Sequence, residues 1–386
     1  MILRDLLVPQ SKLVYTDNVL RAGHRTVRIV IWLTFKGGRK MKRLAIFAVL
    51  LVSLLALGSG MAMAQDDGHI VARIMDRGEM ICGVNTVLPG FGTQNDAGDF
   101  VGFDVDICRA VAAAVLGDAD AVAFRPLTAA ERPTALAGGE IDMLSRNTTW
   151  TLSRDTEWGA TFGPTTFYDG QGIMVKVDFG VTNLIELAEE SVTMCATAGT
   201  TTELNITDTA NRLNADWELS TFQDFDAIMD AYEAGACDAF TSDVSSLVSR
   251  KATSVDPAAH LILPEVISKE PLGPVSPQSD ATFADIIRWT VWGLVSAEEM
   301  GIDSMNIGDY MDSEDASVGR LLGLGDNVAG EYLGINDEFM VDVISQVGNY
   351  AEIFNRHLGP DTIFGLNRGV NALWTDGGLL YAAPFR

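Results

Sequence analysis

From residue 80 onward, apolar and polar positions follow two alternating rhythms. Met80 to Asn85 (MICGVN) is a short apolar run of the kind a buried strand requires, whereas Asp104 to Val115 places apolar residues at 105, 108, 111, 112 and 115, one face of a helix. Short runs at Ile141 to Ser145, Gly172 to Val177, Val192 to Ala196 and Asp238 to Ser242 predict further strands, and helical spacing returns at 227–234 and 283–300. Strands alternating with helices predict an α/β fold. Leu263 to Pro277 carries four Pro and one Gly, so it reads as an extended passage joining lobes rather than filling a core. No internal repeat or low-complexity tract interrupts the pattern.

A different pattern occupies the N-terminus. Leu44 to Leu57 (LAIFAVLLVSLLAL) follows Lys40, Lys42 and Arg43 and precedes Ala62-Met63-Ala64, just before Gln65. A basic start, an apolar stretch too short to cross about 30 Å of hydrocarbon, and a small-residue site together predict a secretory signal peptide over 41–64, cleaved near Ala64. An anchor helix would have no use for that site. Residues 1–40 would hold the apolar stretch unusually far from the start, so Met41 is the expected working start and 1–40 an untranslated or disordered extension.

Charge narrows the function. The chain has 27 Lys+Arg against 52 Asp+Glu, a formal balance of −25, which disfavours a nucleic-acid partner because such affinity depends on cations neutralising phosphates. Residues 1–64 hold 10 of the basic and 2 of the acidic side chains, so the exported chain would carry −33 over 322 residues. Such a charge keeps a protein soluble and is most comfortable where salt screens it. Four His, with neither H-E-x-x-H nor C-x-x-C, predict no metal site, and without a G-x-x-x-x-G-K-S/T loop no nucleotide cofactor is expected. Cys82, Cys108, Cys195 and Cys237 all lie beyond the signal peptide, in what would be an oxidising compartment, and four Cys allow three connectivities.

Four short constellations carry candidate chemistry. Arg146-Asn-Thr-Thr-Trp-Thr-Leu-Ser-Arg154 follows a predicted strand, at the end where open α/β sheets hold ligands, and Arg154 suits a carboxylate gripped by two parallel N–H bonds, with Thr149 as a further donor. Gly199-Thr-Thr-Thr-Glu203 opens a predicted helix whose free N–H groups would favour a carboxylate beside Thr200 and Thr201, although ordinary capping by Thr accounts for it equally well. Asp243 closes a predicted strand and suits an ammonium group. Leu88-Pro-Gly-Phe91 with Gly102-Phe-Asp-Val-Asp106 offers apolar groups for a side-chain pocket, Phe103 being expected in the core.

The succession signal peptide, VN-x-x-LPGF, GFDVDICRAVAAAV, GEIDML, SRNTTWTLSRDT, FYDGQGIMVK, AGTTTELN, CDAFTSD and SKEPLGP resembles the periplasmic general L-amino-acid-binding proteins of polar amino-acid ABC importers, across essentially all of 65–386. The resemblance implies a type II periplasmic binding protein: two α/β lobes, two hinge strands, and a ligand cleft that closes on an amino acid. Lobe 1 would be 69–170 plus 275–386 and lobe 2 175–265, with crossings near Asp169 to Ile173 and Leu263 to Leu272. In that family the position of Arg154 binds the α-carboxylate, aided by those of Thr149 and Thr201, while the positions of Asn147, Thr149 and Asp243 hold the α-ammonium. Leu88 stands where narrow-specificity relatives carry a stacking aromatic, and Ala129 where they carry another, which implies broad side-chain specificity. Pairings Cys82 with Cys108 and Cys195 with Cys237 would keep each disulfide within one lobe.

The expected function is therefore capture of L-amino acids in the periplasm and delivery to the permease subunits of an ABC transporter, by a monomer with no cofactor and no catalysis. The physical reading agrees: a zwitterion needs a fixed cation and a fixed anion shielded from water, and Arg154 and Asp243 fall in different lobes. Two other classes share these features. One is an enzyme on the same fold resembling cyclohexadienyl dehydratase, which would need a general acid with a raised pKa; the other is an amino-acid sensor partner without transport. Preferred amino acid, affinity and the role of the acidic surface are not encoded in any of these patterns.

Overall fold

The computed structural model describes residues 70–386. The extension 1–40 and the signal peptide 41–64 expected above lie outside these residues.

Two five-stranded sheets organise the chain. In the first, Val122–Pro126, Met80–Val84 and Met143–Leu144 run parallel, and Val275–Pro277 inserts antiparallel between Met143–Leu144 and Ala160–Phe162. In the second, Trp217–Phe222, Val192–Thr197 and Ala239–Asp243 are parallel, followed by Gln171–Lys176 and His260–Ile262, each antiparallel to its neighbour. The chain passes between the sheets twice, through Phe167–Asp169 and Glu270–Leu272, and these two strands pair antiparallel with each other. Such a short two-stranded ribbon between two sheets is the place where a few backbone torsions absorb a hinge motion.

Strands expected from apolar runs are the central ones. Met80–Val84, Gln171–Lys176, Val192–Thr197 and Ala239–Asp243 are almost wholly buried, as strands covered on both faces must be. The expected strand at 141–145 is regular only over Met143–Leu144, although Asp142 and Ser145 still donate to the carbonyls of Ile81 and Gly83 at 2.8 and 3.0 Å. Val122–Pro126 and Trp217–Phe222 were not flagged by apolar runs. Both lie at sheet edges, where half-exposed positions mix polar and apolar residues.

The helix Phe103–Leu116 is buried over almost its whole circumference, more than its apolar stripe predicts. One side lies on Met80–Val84, and the others are covered by the helices Ala281–Met300 and Phe339–Val347. The long C-terminal segment thus completes this core: Phe339, Met340, Ile344, Tyr350 and Phe354 are buried within it. Cys82 is bonded to Cys108, tying strand to helix at a Cα separation of 6.2 Å, and Cys195 to Cys237 within the second sheet's unit at 5.9 Å.

Gly102 docks the start of that helix. The N–H groups of Phe103 and Asp104 donate to the carbonyls of Gly90 and Phe91 at 2.9 and 3.0 Å, so the helix N-terminus finds its partners in the preceding loop. This approach leaves no room for a side chain: a Cβ on Gly102 would lie 2.2 Å from the Phe91 carbonyl oxygen, and its φ of 141° suits glycine. Gly102→Ala is therefore expected to destabilise the protein by about 2–4 kcal/mol, combining backbone strain with overlap against a fixed carbonyl. A denaturant midpoint unchanged from wild type would show that this loop relaxes freely.

Candidate functional site

A narrow cleft lies between the two sheet-containing units. Its lining comprises Ala129, Arg132, Arg146, Asn147, Thr149 and Arg154 from the first unit, and Thr197, Thr200, Thr201, Thr202, Phe225, Ser242 and Asp243 from the second. Six of the seven sequence-derived candidates thus meet in one place. Leu88 does not: its side chain is fully buried in the core of the first unit, so no apolar side-chain pocket is built on it. The carbonyls on either side of it have a different use. Ser249 Oγ donates to the Pro89 carbonyl at 2.7 Å and the Arg250 guanidinium to that of Val87, so the helix Val244–Thr253 of the second unit is latched onto this loop.

Short-range bonds shape the loop 145–154. Asn147 adopts φ of 35°, a left-handed conformation that Asn tolerates, and its N–H donates to Asp104 Oδ2 at 2.6 Å, while Ser145 Oγ donates to Oδ1 at 3.2 Å. Asp104 is therefore a positioning residue for the loop. Burial raises its carboxyl to about 6, against the lowering influence of these bonds and of Arg146. Asn147 Oδ1 accepts from Asn85 Nδ2 at 3.2 Å. Trp150 N–H donates to the Pro271 carbonyl at 2.8 Å, and Thr149 bridges to Leu272, which fixes the loop to a hinge strand.

Arg154 lies in the short helix Leu152–Glu157, whose first turn is capped by Thr151. It is 6% exposed, its Cζ sits 5.2 Å from the centre of the Trp158 ring, and Nη1 donates to the Thr149 carbonyl at 3.0 Å. Across the cavity, Thr200 caps the helix Thr201–Leu213 by accepting from Glu203 N–H at 3.2 Å, and its hydroxyl donates to the Thr197 carbonyl at 2.6 Å. Ordinary capping is thus what the Thr200 hydroxyl does, while the first N–H groups of that helix keep their capacity for an anion. Thr201 Oγ1 lies 3.4 Å from Thr149 Oγ1 across the cleft and donates to Glu270 Oε2 at 2.9 Å.

Asp243, at the end of Ala239–Asp243, is 5% exposed, and its carboxylate does not cap the helix that follows. The usual explanation for an Asp in that position is therefore absent. Burial, reinforced by Asp169 and Glu270, holds its carboxyl well above the ordinary range, with Arg154 and Arg132 opposing. The cations show the converse: burial lowers Arg154 from its ordinary value, with Glu270 and Asp243 opposing. Each charge is thus penalised by desolvation in the cleft, and a zwitterion that meets both would relieve both penalties.

Three residues escaped the motif reading. Arg132 and Arg146 line the cavity, fully desolvated, and burial lowers Arg146 to about 10. Glu270, on a hinge strand, accepts from Thr201 and from Asn205 Nδ2 at 2.9 Å each, linking the second unit's helix to the hinge. Arg146 and Glu270 stand inside the motifs SRNTTWTLSRDT and SKEPLGP, but nothing local marked either side chain as part of the site, and Arg132 stands in none of the motifs. Among the described residues no group of His, Cys, Asp and Glu could hold a metal ion.

Comparison with known proteins agrees with this architecture. The family model for bacterial extracellular solute-binding proteins, family 3, matches residues 80–205. At 43% identity over 347 residues, 90% of this chain and all of the relative, the chain is similar to the general L-amino acid-binding periplasmic protein AapJ of Rhizobium johnstonii. At 44% identity over the same shares, it is similar to the glutamate/glutamine/aspartate/asparagine-binding protein BztA of Rhodobacter capsulatus. A periplasmic binding protein of an ABC transporter from Brucella ovis, solved with glutathione bound, superposes with a TM-score of 0.79 at 44% identity, over 82% of this chain and 99% of that one. With two α/β units joined by paired crossing strands, a desolvated cleft between them and relatives matched over their full length, the chain belongs to the bacterial extracellular solute-binding proteins of family 3, in the branch of the periplasmic amino-acid-binding proteins of ABC transporters.

Proposed function

We propose that this protein captures free L-amino acids of many kinds between its two lobes, 69–170 plus 275–386 and 175–265, and presents them to the permease of an ABC importer. It works in the periplasm as a monomer after cleavage near Ala64, and catalyses no reaction. The observation that carries this reading is the opposition of Arg154 and Asp243, one from each side of a single cavity, both buried and, among the described residues, neither in a contact ion pair. An α-carboxylate on Arg154, with Thr149 and Thr201 beside it, and an α-ammonium on Asp243, near Asn147 and Thr149, would complete both pairings. Because the two charges belong to different lobes, the ligand itself becomes part of the closed interface, and its binding free energy favours the closed form.

Calorimetry of refolded 65–386 against the twenty L-amino acids, several α-keto acids and glutathione tests this. Glutathione belongs in the panel because its γ-glutamyl end carries a free α-ammonium and α-carboxylate. Binding of many amino acids with the keto acids silent is the expected result. Silence towards all of them, in a protein with a normal melting transition, would remove the amino-acid reading and favour an enzyme on this fold.

The latch between the lobes makes a second expectation. Arg250 does not itself line the cavity, although its guanidinium lies 5.4 Å from the centre of the ring of Phe225, which does; Arg250→Ala removes the donor to the Val87 carbonyl along with the 2.9 Å ion pair to Asp226. Affinities for all amino acids should fall together, by about tenfold, the worth of a hydrogen bond from a charged donor. Selective loss of one ligand class in calorimetric titrations would place Arg250 in the binding site instead.

A further inference from the structure

Pairing a zwitterion with Arg154 and Asp243 leaves one buried carboxylate nearby without a task. Glu270 is 1% exposed, does not line the cleft, and stands on the crossing strand Glu270–Leu272. Its hydrogen-bond partners are uncharged: Oε2 accepts from Thr201 Oγ1 and Oε1 from Asn205 Nδ2, at 2.9 Å each, and Ser268 Oγ donates to Oε1 as well. Directly opposite it in the two-stranded ribbon stands a second acid, Asp169. Like charges facing each other across a strand pair destabilise it, and burying a carboxylate costs more still, so packing alone gives no reason for an acid at this position.

The use of the carboxylate is geometric. Thr201 and Asn205 lie one turn apart at the start of the helix Thr201–Leu213, so bonds from both to one planar group fix that turn to the crossing strand. The same stretch of chain holds the opposite wall by its backbone: the Pro271 carbonyl accepts from Trp150 N–H at 2.8 Å, Leu272 bridges to Thr149, and Gly273 N–H donates to the Thr148 carbonyl at 3.1 Å. Residues 270–273 thus set the gap across which Thr149 Oγ1 and Thr201 Oγ1 stand 3.4 Å apart. An ionised carboxylate only accepts, and a Thr hydroxyl has one hydrogen to give. With that hydrogen spent on Glu270, the Thr201 side chain offers the cleft only lone pairs, and the donors this turn keeps for an anion are its backbone N–H groups.

We propose that Glu270 is a positioning residue for amino-acid binding: it holds the first turn of the helix Thr201–Leu213 at a set distance from Thr149 and, by taking the hydroxyl hydrogen of Thr201, leaves the backbone N–H groups of that turn to meet the α-carboxylate. The inference rests on the amino-acid reading above and adds to it a residue outside the cleft on which the shape of the cleft depends. Its effect is the same for every side chain, because the gap between Thr149 and Thr201 serves the backbone end that all amino acids share.

The test is calorimetry of refolded 65–386 and of its Glu270→Ala and Glu270→Gln variants with L-glutamate, L-alanine and L-lysine, beside thermal melts. Glu270→Ala is expected to weaken all three alike, by about tenfold. Glu270→Gln should stay within about threefold of wild type, since its oxygen can accept from Thr201 while its N–H groups donate to Ser268 and to an Asn205 amide turned over. In a Thr201→Ala/Asn205→Ala background, Glu270→Ala should cost less than about threefold more, because the partners it acts through are already gone. Should Glu270→Ala show no melting transition, Asn205→Ala, which removes one of the two tethers, takes its place with an expected loss of about threefold. Unchanged affinity in a folded Glu270→Ala or Asn205→Ala protein, a Gln variant as weak as the Ala variant, loss confined to one of the three amino acids, or a further loss of about tenfold in the double background would each overturn the proposal while the amino-acid reading stands. A wild type that binds none of the three would overturn both.

Discussion

Arg154→Ala is expected to weaken binding of every L-amino acid by two or more orders of magnitude, with little change in the melting temperature of the empty protein. The carboxylate it would grip has no other full positive charge presented by the short helix Leu152–Glu157, and the site is nearly closed to water. Breaking one side of a buried, hydrogen-bonded ion pair costs about 3–5 kcal/mol, because the abandoned charge is left desolvated, and each 1.4 kcal/mol is about tenfold in affinity. Stability should be spared for the opposite reason. In the empty protein the guanidinium is itself a penalised cation whose side chain makes one hydrogen bond, to the Thr149 carbonyl, so its removal takes away a cost along with a contact. Calorimetric titration beside a thermal melt separates the two effects. Near-native affinity would remove Arg154 from the site, and a collapsed melting temperature would make it a structural residue.

Asp243→Asn is expected to weaken amino acids by about 1.5–3 kcal/mol, roughly ten- to a hundredfold, and to change the pH dependence of binding as well. The amide keeps the shape and one acceptor oxygen but loses the charge that pairs with an ammonium. Wild type should discriminate strongly against α-keto acids, which lack that ammonium, and the variant should discriminate less. The sign of the pH effect follows from the raised pKa of Asp243 in the closed cleft. An ammonium favours the ionised carboxylate, so affinity is highest where Asp243 is ionised and falls as pH is lowered through its protonation. Titrations from mildly acidic to mildly basic buffer should show that fall in wild type and a flatter, weaker profile in Asp243→Asn. Identical profiles in both proteins would assign the pH dependence to another carboxyl, such as Asp104 or Asp169, each raised to about 6 mainly by burial.

The two predictions differ in how far their residues could be read from the chain alone. Asp243 closes an apolar run and Arg154 stands in the polar segment that follows another, and the ends of strands are where open α/β sheets place ligands. Thr200 and Thr201 follow a glycine at the start of a helical pattern. Their position depends on turn and strand chemistry spanning a few residues, and that chemistry is local. Arg132 had no such marker. It sits second in an ordinary-looking segment, ERPTAL, and becomes a buried cation only because Thr148 and Trp158 come to it from 16 and 26 residues further along.

By itself the sequence determined the alternation of strands and helices, the two central runs that anchor each sheet, and the residue types able to grip a zwitterion. All of these follow from side-chain periodicity and turn preferences acting over less than about a dozen residues. Only the tertiary structure decided that Leu88 is core while its neighbouring carbonyls receive the latch from Ser249 and Arg250, some 160 residues away. It alone joined Glu270 to Thr201 and Asn205, buried the helix Phe103–Leu116 beneath the C-terminal segment, and left Arg132 Nη2 without a partner. Desolvation and the electric field at a site are sums over segments distant in the chain, so they exist only once those segments have met.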